Sequence, residues 1–364
     1  MSGETRQAPK YQQVYSALRR DIQSGRLASG DRLPSEADLV RLFGASRITV
    51  GRAVRDLQAA GLVERRAGSG TFVRSAQKSA GLSFGLLIPD LGDTEIFEPI
   101  CQGMMASPLA AEHALVWGSI TTTGSKPDDA WRLCRQYIER RVSGVFFAPL
   151  ELAPEKDDLN GRIARALDEA GIPVVLLDRT VVPYPRRGHH DLVGIDNRRA
   201  GYVITEHLLT LGARRMVFVA LPNAAATVDA RAAGFREALY AAGVPVEPAL
   251  VQRLDPEDAA AVRQLMKSLA PDGIVCANDR TAARLMRTLI GLGARVPEDV
   301  RLVGIDDADF AELLPVPLTT LRQPSRQIGD AALATMLQRI ARRDLPPRDI
   351  LLPCELVVRA SSGR

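Results

Sequence analysis

Apolar residues recur at two different spacings along this chain, and the change comes near residue 80. Before it, the period is helical. Between Tyr11 and Ser24, Val14, Leu18 and Ile22 return every four residues and Gly25 closes the run, which predicts an amphipathic helix. Leu33-Pro34-Ser35-Glu36 then sets an extended residue before proline and a serine cap ahead of Leu39, Val40 and Phe43, a second helix. Gly44 suits a tight bend. From Ser46, which caps a third helix, Val50, Ala53, Val54 and Leu57 take the i, i+3, i+4, i+7 places of a buried face. Two helices joined by a short glycine-containing turn form a helix-turn-helix. After Gly61, residues 62–66 (LVERR) read as a strand, 67–70 (AGSG) as a turn and 71–74 (TFVR) as the returning strand, a basic wing.

Residues 75–81 (SAQKSAG) are small, polar and aperiodic, as expected of a linker between domains. Beyond them, short apolar runs at 83–89, 142–149, 173–178, 216–220, 273–277 and 301–306 alternate with helical stretches such as 128–141, 159–170, 198–211, 231–242 and 281–292. Uninterrupted apolar runs are strands buried on both faces, and their alternation with helices predicts parallel sheets covered on both sides. The expected architecture is therefore α/β: two doubly wound parallel-sheet lobes over residues 82–364, preceded by a winged helix-turn-helix over residues 1–74.

Open sheets of this kind bind ligands beyond the carboxyl ends of their strands. The runs end in Pro89-Asp90, Ala148-Pro149, Asp178-Arg179, Asn278-Asp279 and Asp306-Asp307, which predicts a polar cleft. Asp279 and Asp307 are the readiest helix caps among them.

Charge divides the chain at the same boundary. Residues 1–80 carry 14 Lys and Arg against 7 Asp and Glu, while the remainder carries 33 against 36. The excess is confined to the part with the helix-turn-helix pattern, which points to a polyanion partner for that part alone. The four cysteines, Cys101, Cys134, Cys276 and Cys354, show no CxxC spacing and are read as free thiols of a reducing, cytoplasmic setting. No apolar run is long enough for a membrane span, and the N-terminus lacks a signal-peptide core. His189-His190-Asp191 lies among Pro183, Pro185 and Gly188 and is read as a surface loop, with no metal or cofactor expected. No nucleophile or phosphate-loop motif points to an enzyme.

The stretches GDRLPSEADLV, FGASRITVGRAVRDLQAAGLV and GSGTFV resemble the winged helix-turn-helix of the gluconate-repressor (GntR) family of bacterial regulators, from about Tyr11 to Arg74. The resemblance implies that the helix from Ser46 enters the major groove and the wing tip follows the minor groove. Arg47 matches the arginine that reaches base edges, Ser46 and Thr49 match hydroxyls near phosphates, and Gly68 matches the wing-tip glycine. Arg52, Arg65 and Arg66 would add phosphate attraction, and Ser35, at the cap of the second helix, is counted with the DNA-facing residues. Gly51, Ala37 and Ala67 depart from the family pattern, standing where relatives carry groove-reading, second-helix and wing side chains.

GLLIPDLGDTEIFEPICQGM, GIPVVLLDR, DNRRAGYVITEHLLTLGARRMVFVA, IVCANDRTAARLM, VPEDVRLVGIDD and PLTTLRQPSRQIGDAA resemble the effector domain of the lactose-repressor (LacI/GalR) family, over about Leu82 to Arg359. That domain has the fold of periplasmic sugar-binding proteins, and its union with a GntR-type head is known from arabinose-responsive regulators. By this resemblance Arg231, Asn278 and Asp306 grip sugar hydroxyls, Asp90 and Phe97 line the cleft with a ring available to a sugar face, and Asp178 and Gln323 hold weaker positions. Ala148 stands where some relatives carry asparagine. The expected protein is a repressor-type regulator, a homodimer on a pseudo-palindromic double-stranded operator, released or engaged by a small sugar or polyol; the alternative is a sugar-binding module whose DNA-binding head is weak or vestigial.

Overall fold

The structure is a computed structural model that describes residues 10–23, 26–27, 30–59, 62–66, 69–73, 81–89, 91, 95–118 and 125–363. It divides into two compact units, Met1–Gly81 and Leu82–Arg364.

In the first unit, helices α1 (Lys10–Gln23), α2 (Glu36–Phe43) and α3 (Arg47–Ala59) precede strands β1 (Val63–Arg66) and β2 (Gly70–Val73). Ser35 caps α2 in a capping box with Asp38, and Gly44 ends it in the left-handed region at φ 55°, a conformation that favours glycine. Val14, Leu18, Leu39, Val50, Ala53, Leu57, Val63 and Val73 form one small core. The wing is antiparallel, with Val63 opposite Val73 and Arg66 opposite Gly70. The extended residues before α2 join it as well, through Leu33 N–H donating to Thr71 O and Val73 N–H to Asp31 O, both at 2.8 Å.

The second unit begins with β3 (Ser83–Leu87), α4 (Phe97–Ala106), β4 (Ala114–Trp117), α5 (Lys126–Glu139), β5 (Gly144–Phe147), α6 (Lys156–Glu169), β6 (Val174–Leu177) and β7 (Asp191–Ile195). It continues through α7 (Asn197–Thr210), β8 (Met216–Ala220), α8 (Ala226–Ala241), β9 (Val251–Arg253), α9 (Ala259–Leu269), β10 (Gly273–Cys276), α10 (Asp279–Gly291) and β11 (Arg301–Asp306). It closes with β12 (Thr319–Arg322), α11 (Ser325–Ala341), β13 (Asp349–Leu352) and β14 (Glu355–Val357).

Two six-stranded sheets result, ordered β4-β3-β5-β6-β7-β13 and β9-β8-β10-β11-β12-β14. All pairings are parallel except β12 with β14. Strands β5, β6, β8 and β10 are buried at every residue, as their unbroken apolar runs require. The chain passes between the sheets after β7, after β12 and after β13. Helices α5 and α6 cover one face of the first sheet and α9 and α10 one face of the second. The faces carrying α4 with α11, and α7 with α8, share one continuous core that includes Phe84, Phe146, Phe218 and Phe235.

The close pairing of α7 with α8 needs glycine. A Cβ on Gly201 would run into the Arg231 carbonyl, and one on Gly234 into the Arg198 carbonyl. Helix α8 also starts five residues before the expected 231. Its first turn, ATVDA, has neither a side-chain cap nor a periodic apolar stripe, so the start carries no sequence signal. Arg231 therefore stands inside a helix. Among the described residues no helix is long and apolar enough to cross a membrane.

Candidate functional site

On α3 the polar ends are closed locally. Thr49 N–H donates to Ser46 Oγ at 3.2 Å, and the two hydroxyl oxygens lie 2.8 Å apart. Arg47 is exposed, whereas the Arg52 guanidinium lies 4.0 Å from the centroid of the Tyr11 ring on α1. The sequence reading had assigned Arg52 to phosphate. The structure gives its guanidinium a cation–π partner within the head, which an i, i+4 reading of one helix does not reveal. Ser35 donates its hydroxyl to Asp38 Oδ2 at 2.6 Å and accepts from Asp38 N–H. The Ser35 hydroxyl, ahead of Arg41, holds the Asp38 carboxyl below its ordinary pKa. Arg65 is 3.9 Å from Glu36 with its side chain 69% exposed. Arg66 Cα pairs in the wing; its side chain, Gly68 and Asp90 lie outside the described residues. Sequence reasoning missed Arg32, which packs over Gly70 beside the wing.

In the body, the strand ends converge on Arg231. Its Nε donates to Asn197 Oδ1 at 2.8 Å, its Nη1 to the Ala277 carbonyl at 2.6 Å, and Nη1 stands 3.8 Å from Asp306 Oδ1. Gln323, at the crossing after β12, donates Nε2–H to the same Asp306 oxygen at 2.7 Å. Burial raises the Asp306 carboxyl well above an ordinary carboxylate; Arg231 pulls it down, while Asp279 and Asp178 add like charge. Asp306 is at φ 136° and Asp178 at φ 65°, left-handed conformations that non-glycine residues adopt at a cost of order 1 kcal/mol or more each.

Among the described residues, two acceptors here lack a hydrogen-bond donor: Asp178 Oδ1 and Gln323 Oε1 are buried without one. An orphaned buried acceptor costs of order 1–3 kcal/mol, and a hydroxyl-bearing ligand supplies what it needs. A cavity of about 930 Å³ opens beside Asp306 and Gln323, edged by Glu95, Glu98, Arg322 and Arg326. Asn278 instead lines a smaller space of about 50 Å³ with Glu95, Glu151 and Arg280.

Asn278 caps α10 through its Oδ1, which accepts from Thr281 N–H at 2.8 Å. Several expectations are corrected. Asp279 is fully buried and accepts from Thr320 Oγ1 at 2.6 Å and Ala308 N–H at 2.9 Å, with burial pushing its pKa up to about 6. Asp307 accepts from Arg322 Nε and Arg359 Nη2, both at 2.7 Å. Neither is a cap, because each carboxylate is claimed by groups distant in sequence. Phe97 is 0% exposed and packs in the core with the Arg179 guanidinium 5.3 Å from its ring centroid, so it presents no free face. His190 is buried, not part of an open surface loop. Its Nε2 lies 3.0 Å from Asp168 Oδ1, while Nε2 of exposed His189 lies 2.8 Å from Oδ2. Burial lowers the His190 pKa despite that carboxylate. Asp168 had no sequence signal, being some twenty residues upstream.

Sequence reasoning also missed the residues that tie the two lobes. Arg280 Nη2 reaches Glu95 Oε1 at 2.6 Å, Leu152 N–H donates to Asn223 O at 2.9 Å, and Glu151 bridges Arg179 Nη1 at 3.0 Å and Ala225 N–H at 3.3 Å. These pairs cross between sequence segments with no common periodicity. The four cysteines are free, and burial raises the thiol pKa of Cys134 to about 11.

Comparison with known proteins follows the same division. Residues 10–73 match the bacterial regulatory proteins of the gntR family, and residues 205–362 match the periplasmic binding protein-like domain. An arabinose metabolism transcriptional repressor of Geobacillus stearothermophilus is 28% identical over 97% of this chain and 98% of its own. The HTH-type transcriptional regulator CelR of Thermobifida fusca is 31% identical over 87% of this chain and 89% of its own. A solved transcriptional regulator CelR–cellobiose complex superposes with a TM-score of 0.65 at 27% identity, covering 87% of this chain and 91% of that one.

Proposed function

Because this chain belongs to the HTH-type transcriptional regulators, with a gntR-family head on a periplasmic-binding-protein-like body, we propose that it is a sugar- or polyol-controlled repressor acting as a homodimer on a pseudo-palindromic operator in the cytoplasm. One observation carries the effector half of this reading: Arg231, Asp306 and Gln323 converge at the strand ends while Asp178 Oδ1 and Gln323 Oε1 find no donor among the described residues. Carboxylate and amide oxygens in want of donors suit a molecule rich in hydroxyl groups. The relatives' names, arabinose metabolism for one and a cellobiose complex for another, support the same ligand class without choosing among its members.

On the DNA side, Arg47 reads a base edge, and Ser46, Thr49, Arg65 and Arg66 meet phosphates with Gly68 at the wing tip. In the body Arg231, Asp306 and Gln323 bind effector hydroxyls, joined by Asp178 and Asn278. Ligand binding shifts the balance of lobe arrangements only through unequal affinity for them. A coupling of about 1–3 kcal/mol changes operator affinity roughly 5–150-fold. Nothing in this arrangement calls for a catalytic step.

The test is direct. Full-length protein is used to enrich duplexes from a randomised pool at low salt, and the winner is titrated with pentoses, hexoses, disaccharides and polyols. One class of saccharide altering binding supports the reading. A duplex bound with no saccharide response, alongside no saccharide-induced thermal stabilisation, overturns its effector half.

A further inference from the structure

The outward face of α3 is not uniformly basic. Val50, Ala53, Val54 and Leu57 point into the head's core, each at most 7% exposed. Ile48 lies about 170° round the helix from their mean direction and is 82% exposed. It therefore crowns the face that carries Arg47, Arg52 and Arg55. One turn on, at i+3, is Gly51, where an added Cβ would meet nothing within 4 Å. Gly51 is not among the residues of positive φ, so backbone geometry does not ask for glycine there. In an exposed helix interior glycine costs about 1 kcal/mol relative to alanine. Nothing among the described residues of the head accounts for that cost.

An apolar knob beside bare backbone, among guanidinium groups, has a counterpart in the major groove. The thymine 5-methyl group is the apolar feature that base pairs present there. We propose that Ile48 reads a thymine methyl group and that Gly51 lets the helix sink far enough into the groove for the two to touch. The proposal rests on the DNA-binding reading above. Arg47 is the neighbouring residue, so a half-site would carry an A·T pair adjacent to the pair that Arg47 engages. A protein partner is disfavoured. Among the described residues of the head only Leu42 and Ile48 are large exposed hydrophobics, too little apolar area for an interface, and the surrounding charge suits a polyanion.

Deoxyuridine differs from thymidine by that methyl group alone. In the enriched duplex each thymine is replaced in turn, and affinity is measured for the full-length wild type, Ile48→Ala, Ile48→Val and Gly51→Ala. One position per half-site should weaken wild-type binding about fourfold, the equivalent of one buried methyl group at about 0.8 kcal/mol. At that position Ile48→Ala should bind both bases alike, and Ile48→Val should keep the discrimination. Gly51→Ala should lose it too, although the same change favours the free helix. Melting unchanged in the Ile48 variants, and unchanged or raised in Gly51→Ala, excludes misfolding. Equal responses of wild type and Ile48→Ala to every replacement overturn the inference and leave the DNA reading standing. Retained discrimination in Gly51→Ala overturns the part assigned to Gly51. If no duplex is enriched, the DNA reading fails and this inference falls with it.

Discussion

On α3 Arg47 stands exposed beside the solvent-facing Ile48, whereas in the body Arg231 is 4% exposed and held by Asn197, the Ala277 carbonyl and Asp306. The two guanidinium groups solve opposite problems. A cation that meets DNA must stay hydrated until phosphates and base edges replace the water, so it needs no fixed partner within the protein. A buried cation cannot wait: desolvation costs several kcal/mol unless hydrogen bonds and counter-charge compensate it. The head is thus a surface whose complement is external, while the cleft is a network completed except for a few acceptors.

That contrast can be broken at its strongest point first. Arg231→Ala leaves Asp306 buried beside Asp279 and Asp178 without its cation, and should lower body stability by about 3–5 kcal/mol. Saccharide response should vanish while operator binding by the folded protein persists. A variant that melts and responds like wild type would show that the cleft has been misplaced. Arg47→Ala should do the reverse. Roughly 1–3 kcal/mol of base discrimination disappears with saccharide-induced stabilisation intact, read by comparing operator with mismatched duplex.

The pH dependence sharpens the buried side of the comparison. Burial raises Asp279 to about 6 in the folded chain, above its unfolded value, so folding takes up a proton between these values. The stability this group contributes is fully present below about pH 4 and is lost as pH rises through about 6, an effect on the order of 1–3 kcal/mol. As pH rises from 4 to 7, the melting temperature of wild type should fall relative to that of Asp279→Asn; parallel curves, or a relative rise, would refute the assignment. The smallest effect belongs to the exposed side. Ser35→Ala removes the α2 cap and should cost about 1 kcal/mol, seen as a lower melting point of the head's transition with the body's unchanged.

The structure also separates what patterning can carry from what it cannot. The inner stripe of α3 and the buried strands β5, β6, β8 and β10 were legible because a repeating environment writes a repeating sequence. The start of α8 was not, since its alanine-rich first turn has no contrast between faces. Asp279 reads from the sequence as the readier helix cap of the pair, yet Asn278 caps α10 and Asp279 braces Thr320 and Ala308. Their difference is set by which side chain turns inward, and adjacent residues do not announce that.

By itself the sequence determined the helical spacing of the head, the parallel α/β character of the body and the polar residues that end its strands. These follow from local periodicity and charge, properties of neighbouring residues. Only the tertiary structure decided that Arg52 lies over Tyr11, that Phe97 is closed into the core, that Glu95 meets Arg280, and that Asp178 and Gln323 keep unsatisfied oxygens. Each of these depends on residues far apart in the chain whose separation carries no period. Burial, pairing and want of a partner are properties of three-dimensional neighbourhoods, which no linear pattern encodes.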